Sequence, residues 1–219
     1  MQRILLIVIC LQIPVTFFAQ QSAIRNSIPE NYEILNEGIT KGDLNKDGIE
    51  DVVLALSPVW EKVEGGLEKS GIDSIPQRLL IILFGTKTGY EQSVITSKAI
   101  MCKDCGGIFG DPFTGIAIIG NVLEIYHYGG SNWRWSYTHK FRYQGNGFYL
   151  IGRKSISYWN VMNCEKLDDF AGTDYEDINF ITGQFEIKKI SEDCKLLEDK
   201  KGKRKTQPLI ALEKFEIDN

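Results

Sequence analysis

Four oxygen-bearing side chains lie close together in the segment 42–56, which reads GDLNKDGIEDVVLAL. They are Asp43, Asn45, Asp47 and Asp51. In a tight loop, carboxylate and amide oxygens at this spacing can converge on one centre. Such hard ligands suit calcium, which accepts about six to eight of them. Gly48 follows where the chain must bend sharply, which leaves the carbonyl of Ile49 free to be a further ligand. The spacing therefore predicts a calcium loop.

The residues that follow the loop distinguish between the known kinds of calcium loop. An EF-hand ends in a bidentate acidic residue and continues as a helix, but Leu54 occupies that position. The apolar run from Val52 to Leu56 is typical of a buried strand. The pattern D-x-N-x-D-G-x-x-D followed by a strand resembles the FG-GAP/VCBS repeats of integrin-like propellers and of many exported bacterial proteins. The resemblance implies a calcium ion held in a turn between strands, with the same four side chains as ligands.

The motif occurs once in the chain. A propeller needs at least about four blades, each a four-stranded sheet, so a full propeller is excluded. The segment from Arg78 to Tyr90 resembles the strand and glycine-containing turn that often follow such a loop. The alternative for the loop itself is an Asx-rich turn that binds no ion, because Asp, Asn and Gly are the usual turn formers.

The N-terminal residues 1–19 have the layout of a secretory signal peptide. Arg3 precedes an apolar run, and Ala19 stands before two glutamines. The alternative is a retained membrane anchor, which needs about 20 apolar residues. Gln12 and Pro14 interrupt a shorter run here. The sequence therefore predicts cleavage and export, with no transmembrane segment afterwards.

The charge balance restricts the choice of partners. The sequence contains 25 Lys and Arg residues against 29 Asp and Glu residues, a formal net charge of -4. Binding of nucleic acid requires a basic field, so nucleic acid is excluded as a partner. A chain of this length can bury a substantial core, and residues 20–219 are expected to form one domain. We expect a secreted or periplasmic protein of a bacterial cell envelope.

Four cysteines follow the predicted signal peptide: Cys102, Cys105, Cys164 and Cys194. An even number outside the cytosol predicts disulfides. Of the possible pairings we favour Cys102 with Cys105 and Cys164 with Cys194, because the first pair is already held close by sequence. Two alternatives stay open. One is a catalytic redox pair at Cys102 and Cys105, and the other is a zinc site that adds His127 and His139.

Short apolar or alternating runs separated by Gly, Asn and Asp predict a mainly β fold. We expect antiparallel sheets arranged as a sandwich or half-open barrel. The predicted strands are 32–35, 51–57, 78–84, 93–97, 115–119, 122–128, 133–143, 147–155, 185–190 and 209–215. Three polar segments are predicted as connections: a long loop at 58–77, a solvated acidic loop at 166–177 and a basic tip at 200–205.

The segment from Val122 to Tyr143 predicts an aromatic hairpin. Alternation in its second strand places aromatic residues on one face and polar residues on the other. The simplest register adds Tyr126 and Tyr128 to the aromatic face, opposite Trp135 and Trp133. This face is either the core of the fold or, near the turn, a platform for a sugar or a peptide. The candidate platform residues are Tyr126, His127, Tyr128, Trp133, Arg134 and Trp135.

The sequence contains no G-x-S-x-G, H-E-x-x-H or P-loop motif. Our leading hypothesis is an exported, non-catalytic, calcium-binding β-domain that acts as a binding or interaction module. Its partner would be a carbohydrate, a peptide or a protein of the cell envelope. The second hypothesis is a secreted or periplasmic hydrolase with a site near the hairpin, where His127 could act with Glu124 and Ser131. The third is an envelope thiol oxidoreductase that uses the CxxC motif.

Overall fold

The computed structural model describes residues 22–62 and 77–217. The predicted signal peptide and the central part of the 58–77 connection lie outside the described residues. The protein is mainly β, as predicted, and forms two antiparallel sheets that are not closed into a barrel. Within the two described ranges, no helix is long and apolar enough to cross a membrane.

Both sheets are meanders, in which consecutive strands pair antiparallel. Sheet A has four strands: β1 (Tyr32–Gly42), β2 (Asp51–Pro58), β3 (Leu79–Thr86) and β4 (Gly89–Thr96). Sheet B has seven: β5 (Phe113–Ile119), β6 (Val122–Gly130), β7 (Trp133–Gln144), β8 (Gly147–Cys164), β9 (Asp169–Asn179), β10 (Gln184–Ile190) and β11 (Leu196–Lys203). The described helices are a short one at 22–26 and the 3-10 turns Val59–Lys62, Glu165–Leu167 and Leu212–Lys214.

Side chains from both sheets share one hydrophobic core. Sheet A contributes Val53, Ala55, Leu80 and Ile82, and sheet B contributes Leu123, Ile125, Phe141 and Phe148. The other face of sheet A is also buried, because Ile24 and Ile28 of the N-terminal segment pack against it. Strand β2 is therefore covered on both sides and every one of its residues is buried. This explains why its sequence is a continuous apolar run rather than an alternating one.

The far part of sheet B has little hydrophobic core. None of the core residues shared by the two sheets comes from β9, β10 or β11. Salt bridges join these strands instead, including Lys188 to Asp169 at 2.7 Å and Lys201 to Glu186 at 2.9 Å. Surface ion pairs of this kind stabilise a protein by only about 0–1 kcal/mol each. This part of the sheet therefore needs a further constraint.

A disulfide supplies that constraint. Cys164 at the end of β8 is bonded to Cys194 in the turn between β10 and β11. Around it, Ala171 and Ile190 form a small buried cluster. The second disulfide joins Cys102 and Cys105. Both predicted pairings are confirmed.

The structure corrects the sequence predictions in three places. The acidic segment 166–177, predicted as a solvated loop, contains most of β9, and the basic tip 200–205 begins within β11. Both strands lack hydrophobic alternation because they contribute no residue to the core that the two sheets share. The predicted strand at 209–215 forms a single bridge at Ala211 followed by the 3-10 turn. Its apolar residues Leu212 and Phe215 are spaced for that turn, and both join the core.

The double variant Cys164→Ser, Cys194→Ser should loosen β9 to β11 and leave the sandwich intact. A crosslink that closes a loop of this length, with a sequence separation of 30, contributes about 3–4 kcal/mol. Hydrogen exchange should accelerate in β9 to β11 while β2 and β3 stay protected. The matched control is Cys102→Ser, Cys105→Ser, which should leave exchange in β9 to β11 unchanged. Equal loss of protection in β2 and β9 would contradict this assignment.

Candidate functional site

The predicted calcium loop is the connection between β1 and β2. Gly42 pairs with Asp51 at its base, so residues 43–50 form the loop of a β-hairpin. Gly48 adopts a φ of +83°, a left-handed conformation that strains other residue types. The sharp bend expected at this glycine is therefore present.

Three of the predicted ligands lie together at the surface of the loop. Asp43 accepts hydrogen bonds from the N–H groups of Asp47 and Gly48, both at 3.1 Å. Asn45 Oδ1 accepts from the Asp47 N–H at 3.0 Å, and Asn45 Nδ2 donates to Asp47 Oδ2 at 2.9 Å. Asp47 Oδ1 accepts from the Ile49 N–H at 2.7 Å. These nested Asx turns hold three oxygen-bearing side chains side by side.

Asp51 lies at the base of the loop and is completely buried. Its Oδ2 accepts from the N–H groups of Leu44 at 2.7 Å and Asn45 at 3.3 Å, and its Oδ1 accepts from Gly85 at 2.9 Å. These bonds use three of about four acceptor positions of a carboxylate. Burial raises the pKa of Asp51, the backbone donors oppose this shift, and the charge of Asp47 raises the pKa further. Asp51 thus anchors the loop to the end of β3.

The donor chemistry of the loop fits a hard cation, although the side chains do not form a complete cage. Across 22–62 and 77–217, no group of three or more His, Cys, Asp or Glu side chains is arranged to hold a metal ion. Asp51 is directed at backbone N–H groups, and Asn45 is an amide rather than a carboxylate. Asp43 and Asp47 are therefore the two carboxylates of the motif at the surface of the loop. Among the described residues, no Lys or Arg forms a salt bridge with Asp43, Asp47 or Asp51. Their charges therefore lack a cationic partner there.

The loop is also tied to the junction of the two sheets. Leu44 is fully buried and belongs to the shared core. Asn121, in the turn between β5 and β6, donates a hydrogen bond to the carbonyl of Asp43. At the end of β1, a Cβ on Gly42 would lie 2.7 Å from Ile118 of β5. Disordering of the loop would therefore disturb the packing of both sheets.

The aromatic hairpin has a different register from the predicted one. Tyr126 pairs with Thr138 and Tyr128 pairs with Ser136. The offset from the predicted register is an odd number of residues, which moves a side chain to the opposite face of a sheet. The cause lies in the turn, where the Ser131 N–H donates to the Trp133 carbonyl at 2.7 Å.

The predicted platform is consequently divided between two faces. Tyr126, Tyr128 and Arg134 lie on the outer face of sheet B. Trp135 packs against the core. Trp133 stands at the tip of the hairpin and is 43% exposed. The alternation predicted within β7 agrees with the structure, but the prediction that Tyr126 and Tyr128 join its aromatic face was wrong.

His127 is a buried structural residue. It is 1% exposed, and its Nε2 accepts a hydrogen bond from the Met101 N–H at 3.2 Å. Burial, with smaller contributions from His139 and Arg78, lowers the pKa of His127 to about 3. Glu124 points to the other face, where Tyr126 donates to it at 2.8 Å and Lys140 forms a salt bridge at 3.0 Å. The hydrolytic group considered from the sequence is thus not assembled.

A row of aromatic rings covers the outer face at this end of sheet B. The ring of Phe109 lies 5.5 Å from that of Tyr128, and Arg134 Cζ lies 4.1 Å from the centroid of Phe109. Tyr158, which pairs with Arg134 across β7 and β8, stacks on Phe170 at 4.8 Å. Sequence reasoning missed Phe109, Tyr158 and Phe170, because each comes from a segment other than the hairpin. We call these five residues, Phe109, Tyr128, Arg134, Tyr158 and Phe170, the outer aromatic surface.

The loop that carries Phe109 is held rigidly against the hairpin. The Gly106 N–H donates to the Gly110 carbonyl at 2.7 Å, and the Gly130 N–H donates to the Gly106 carbonyl at 2.9 Å. At its base, Arg78 is buried and bonds the carboxylates of Glu61 and Asp111. Phe109 nevertheless stays 47% exposed.

The CxxC motif lies in a turn that precedes this loop. The two sulfurs of Cys102 and Cys105 are bonded to each other, so neither is a free thiolate able to bind zinc. No helix starts at Cys102, in contrast to thioredoxin-like sites. A disulfide in this position can stabilise the conformation of the loop that follows it.

Comparison with protein-family models finds no match, and no curated protein matches the chain. Among solved structures, the chain is similar to a Xanthomonas protein described as related to the type IV secretion system, with 15% identity and a TM-score of 0.30. The match covers 81% of this chain and 63% of that one, so the chain spans less than two thirds of that protein. A likeness this low carries no argument about fold or function. The FG-GAP/VCBS resemblance rests on its motif.

Asp51→Asn should destabilise the protein by about 1–3 kcal/mol in the presence of chelator, because an amide cannot accept from all three backbone N–H groups. Urea unfolding at neutral pH measures the change. The matched control is Asp47→Asn, which alters an exposed carboxylate and should shift stability by less than about 0.5 kcal/mol. Equal effects of the two substitutions would show that Asp51 does not anchor the loop.

Proposed function

We propose that the protein is an exported, non-catalytic β-domain that binds calcium in the hairpin loop and binds a partner through the outer aromatic surface. The observation that carries the calcium site is the clustering of Asp43, Asn45 and Asp47 beside the buried Asp51, without a Lys or Arg salt bridge among the described residues. Oxygen-only ligand sets of this kind are typical of calcium. The sequence motif, which consists of the same residues, favours the same assignment.

A cation bound at this loop would reduce the electrostatic repulsion between its carboxylates. The charge of Asp47 already raises the pKa of Asp51, after the larger effect of burial. A bound calcium ion would screen these carboxylates from one another. Because Leu44 and Asn121 link the loop to the core and to sheet B, the stabilisation would extend to the whole domain.

The outer aromatic surface supports the role of an interaction module. Aromatic rings and arginine are the residues most often found at the energetic centre of protein interfaces. Next to Phe109 in the chain, Ile108 is 74% exposed. An apolar peptide segment that carries an acidic side chain would complement both the rings and the guanidinium group. This favours a peptide or protein over a carbohydrate at this surface.

The disulfides are typical of an oxidising compartment. We propose a secreted or periplasmic location, after removal of the predicted signal peptide 1–19. Calcium outside the cytosol reaches concentrations at which extracellular modules, with dissociation constants of about 10⁻⁴–10⁻³ M, are occupied. Location and ligand are thus consistent with each other.

Calcium should raise the melting temperature of the wild-type protein relative to chelator. At 100 times the dissociation constant the expected stabilisation is about 2.7 kcal/mol, and each kcal/mol corresponds to about 2–4 °C for a domain of this size. Asp47→Ala should abolish the shift, whereas the exposed Asp104→Ala should retain it. Identical melting curves in calcium and in chelator would reject the calcium site.

The partner role can be tested with a random-peptide phage library selected on the wild-type protein. Selected peptides, synthesised and titrated by calorimetry, should be apolar with an acidic residue. Phe109→Ala and Arg134→Ser should each weaken them at least about tenfold, the equivalent of about 1.4 kcal/mol. Phe185→Ala, a ring at the far end of sheet B, is the control and should leave affinity unchanged. A library that yields no peptide sensitive to Phe109 and Arg134 would contradict the role of this surface.

A further inference from the structure

A groove crosses the inner face of sheet B beyond the shared core. It consists of two adjoining cavities of about 310 and 230 Å³, which share Tyr137 and Ser155. Small-molecule sites occupy about 300–1,000 Å³. The other polar and charged residues that line the groove are Ser157, Asp174, Glu176 and Lys189 in the first cavity and His139 and Arg153 in the second.

The strand register places these side chains in rows. Tyr137 of β7 pairs with Ser155 of β8, and Ser155 pairs with Glu176 of β9. Directly paired residues of antiparallel strands share a face, so the three side chains stand next to one another. In the next row, Ser157 pairs with Asp174, and Asp174 pairs with Lys189. On the other side of the Tyr137 row, His139 pairs with Arg153. The groove is therefore built on four rigid strands.

Two polar atoms of the groove-lining residues have no hydrogen-bond partner among the described residues. His139 is 6% exposed, and its Nδ1 atom is buried without a hydrogen bond. The Nε atom of Arg153 is also buried without a hydrogen bond. Buried polar atoms without partners cost about 1–3 kcal/mol each, so native proteins seldom leave them unpaired. Both atoms are shielded from solvent, so a ligand would reach them only after a small shift of the side chains. The groups that it can meet directly are the hydroxyl and charged groups that line the two cavities.

The charged side chains that line the groove are already engaged in ion pairs, and Glu176 lies 3.7 Å from Arg204 in addition to its contact with Arg153. Arg153 bonds Glu176, and Lys189 bonds Asp174 at 3.3 Å. A charged ligand would have to compete with one of these ion pairs. An uncharged ligand with several hydroxyl groups can instead donate to the carboxylates and accept from the cations while both pairs stay formed. The ring of Tyr137 provides an apolar surface for its C–H groups.

We propose that this groove is a binding site for an uncharged, hydroxyl-rich molecule of the size of one sugar ring. The site lies on the face of sheet B opposite the outer aromatic surface and shares no residue with the calcium loop. It goes beyond the proposed function and does not depend on it.

The test uses the full mature chain and nuclear magnetic resonance titrations with methyl glycosides of glucose, galactose and mannose as neutral probes. Glucuronate and glucosamine are the charged comparisons. Titration to about 20 mM is appropriate, because single-ring fragments bind with millimolar constants. At least one neutral glycoside should shift the amide signals of Tyr137, Ser155 and Asp174 in a saturable way and more strongly than either charged sugar.

Two conservative substitutions test the site without unfolding the protein. Asp174→Asn and Ser155→Ala should each weaken the binding of that glycoside at least tenfold, while their spectra stay folded. Asp199→Asn on the edge strand β11 is the matched control and should bind as the wild type does. The inference is overturned if no neutral glycoside binds, if the shifts map to the outer aromatic surface, if a charged sugar binds more tightly, or if both variants bind normally.

Discussion

A buried carboxylate fixes the arrangement on which the N-terminal half of the molecule depends. Asp51 accepts hydrogen bonds from the backbone N–H groups of Leu44, Asn45 and Gly85. These three donors belong to the loop before β2 and to the end of β3, so one side chain holds a hairpin loop against the neighbouring strand. With Leu44 in the core, the loop cannot move without disturbing the contact between the two sheets. A cation bound at its surface would therefore act on the stability of the domain.

The unequal size of the two sheets explains where sheet B has surfaces outside the shared core. Sheet A has four strands and covers only part of the seven-stranded sheet B. Strands β9 to β11 extend beyond the shared core and are held by cross-strand charge pairs and by the Cys164–Cys194 disulfide. Within residues 22–62 and 77–217, no strand of sheet A packs over this extension, and polar side chains line a groove on its inner face. The outer face keeps an aromatic surface at the hairpin end.

Sequence reasoning succeeded where burial dictates composition. Strand β2 was predictable because it is covered on both faces and so reads as a continuous apolar run. Strands β9 and β11 were missed because hydrophobic alternation arises only where a whole face is buried. Strand β9 buries few apolar residues, such as Ala171 and Ile178, and β11 buries none. The hairpin register was missed because it depends on the bond from Ser131 to Trp133 in the turn, which strand alternation cannot reveal. The bend of the hairpin loop at Gly48 was predictable because the residues that form it are local in sequence, whereas calcium binding there is still a proposal. The outer aromatic surface and the groove join distant segments through strand pairing, which one sequence does not disclose.

The most direct test of this account is a calorimetric titration of the chelator-treated protein with calcium. The account predicts saturable binding of one ion per chain in the wild type and its loss in Asp47→Ala. Heats that equal those of dilution, up to calcium concentrations of about 10 mM, well above the range of extracellular calcium modules, would contradict it.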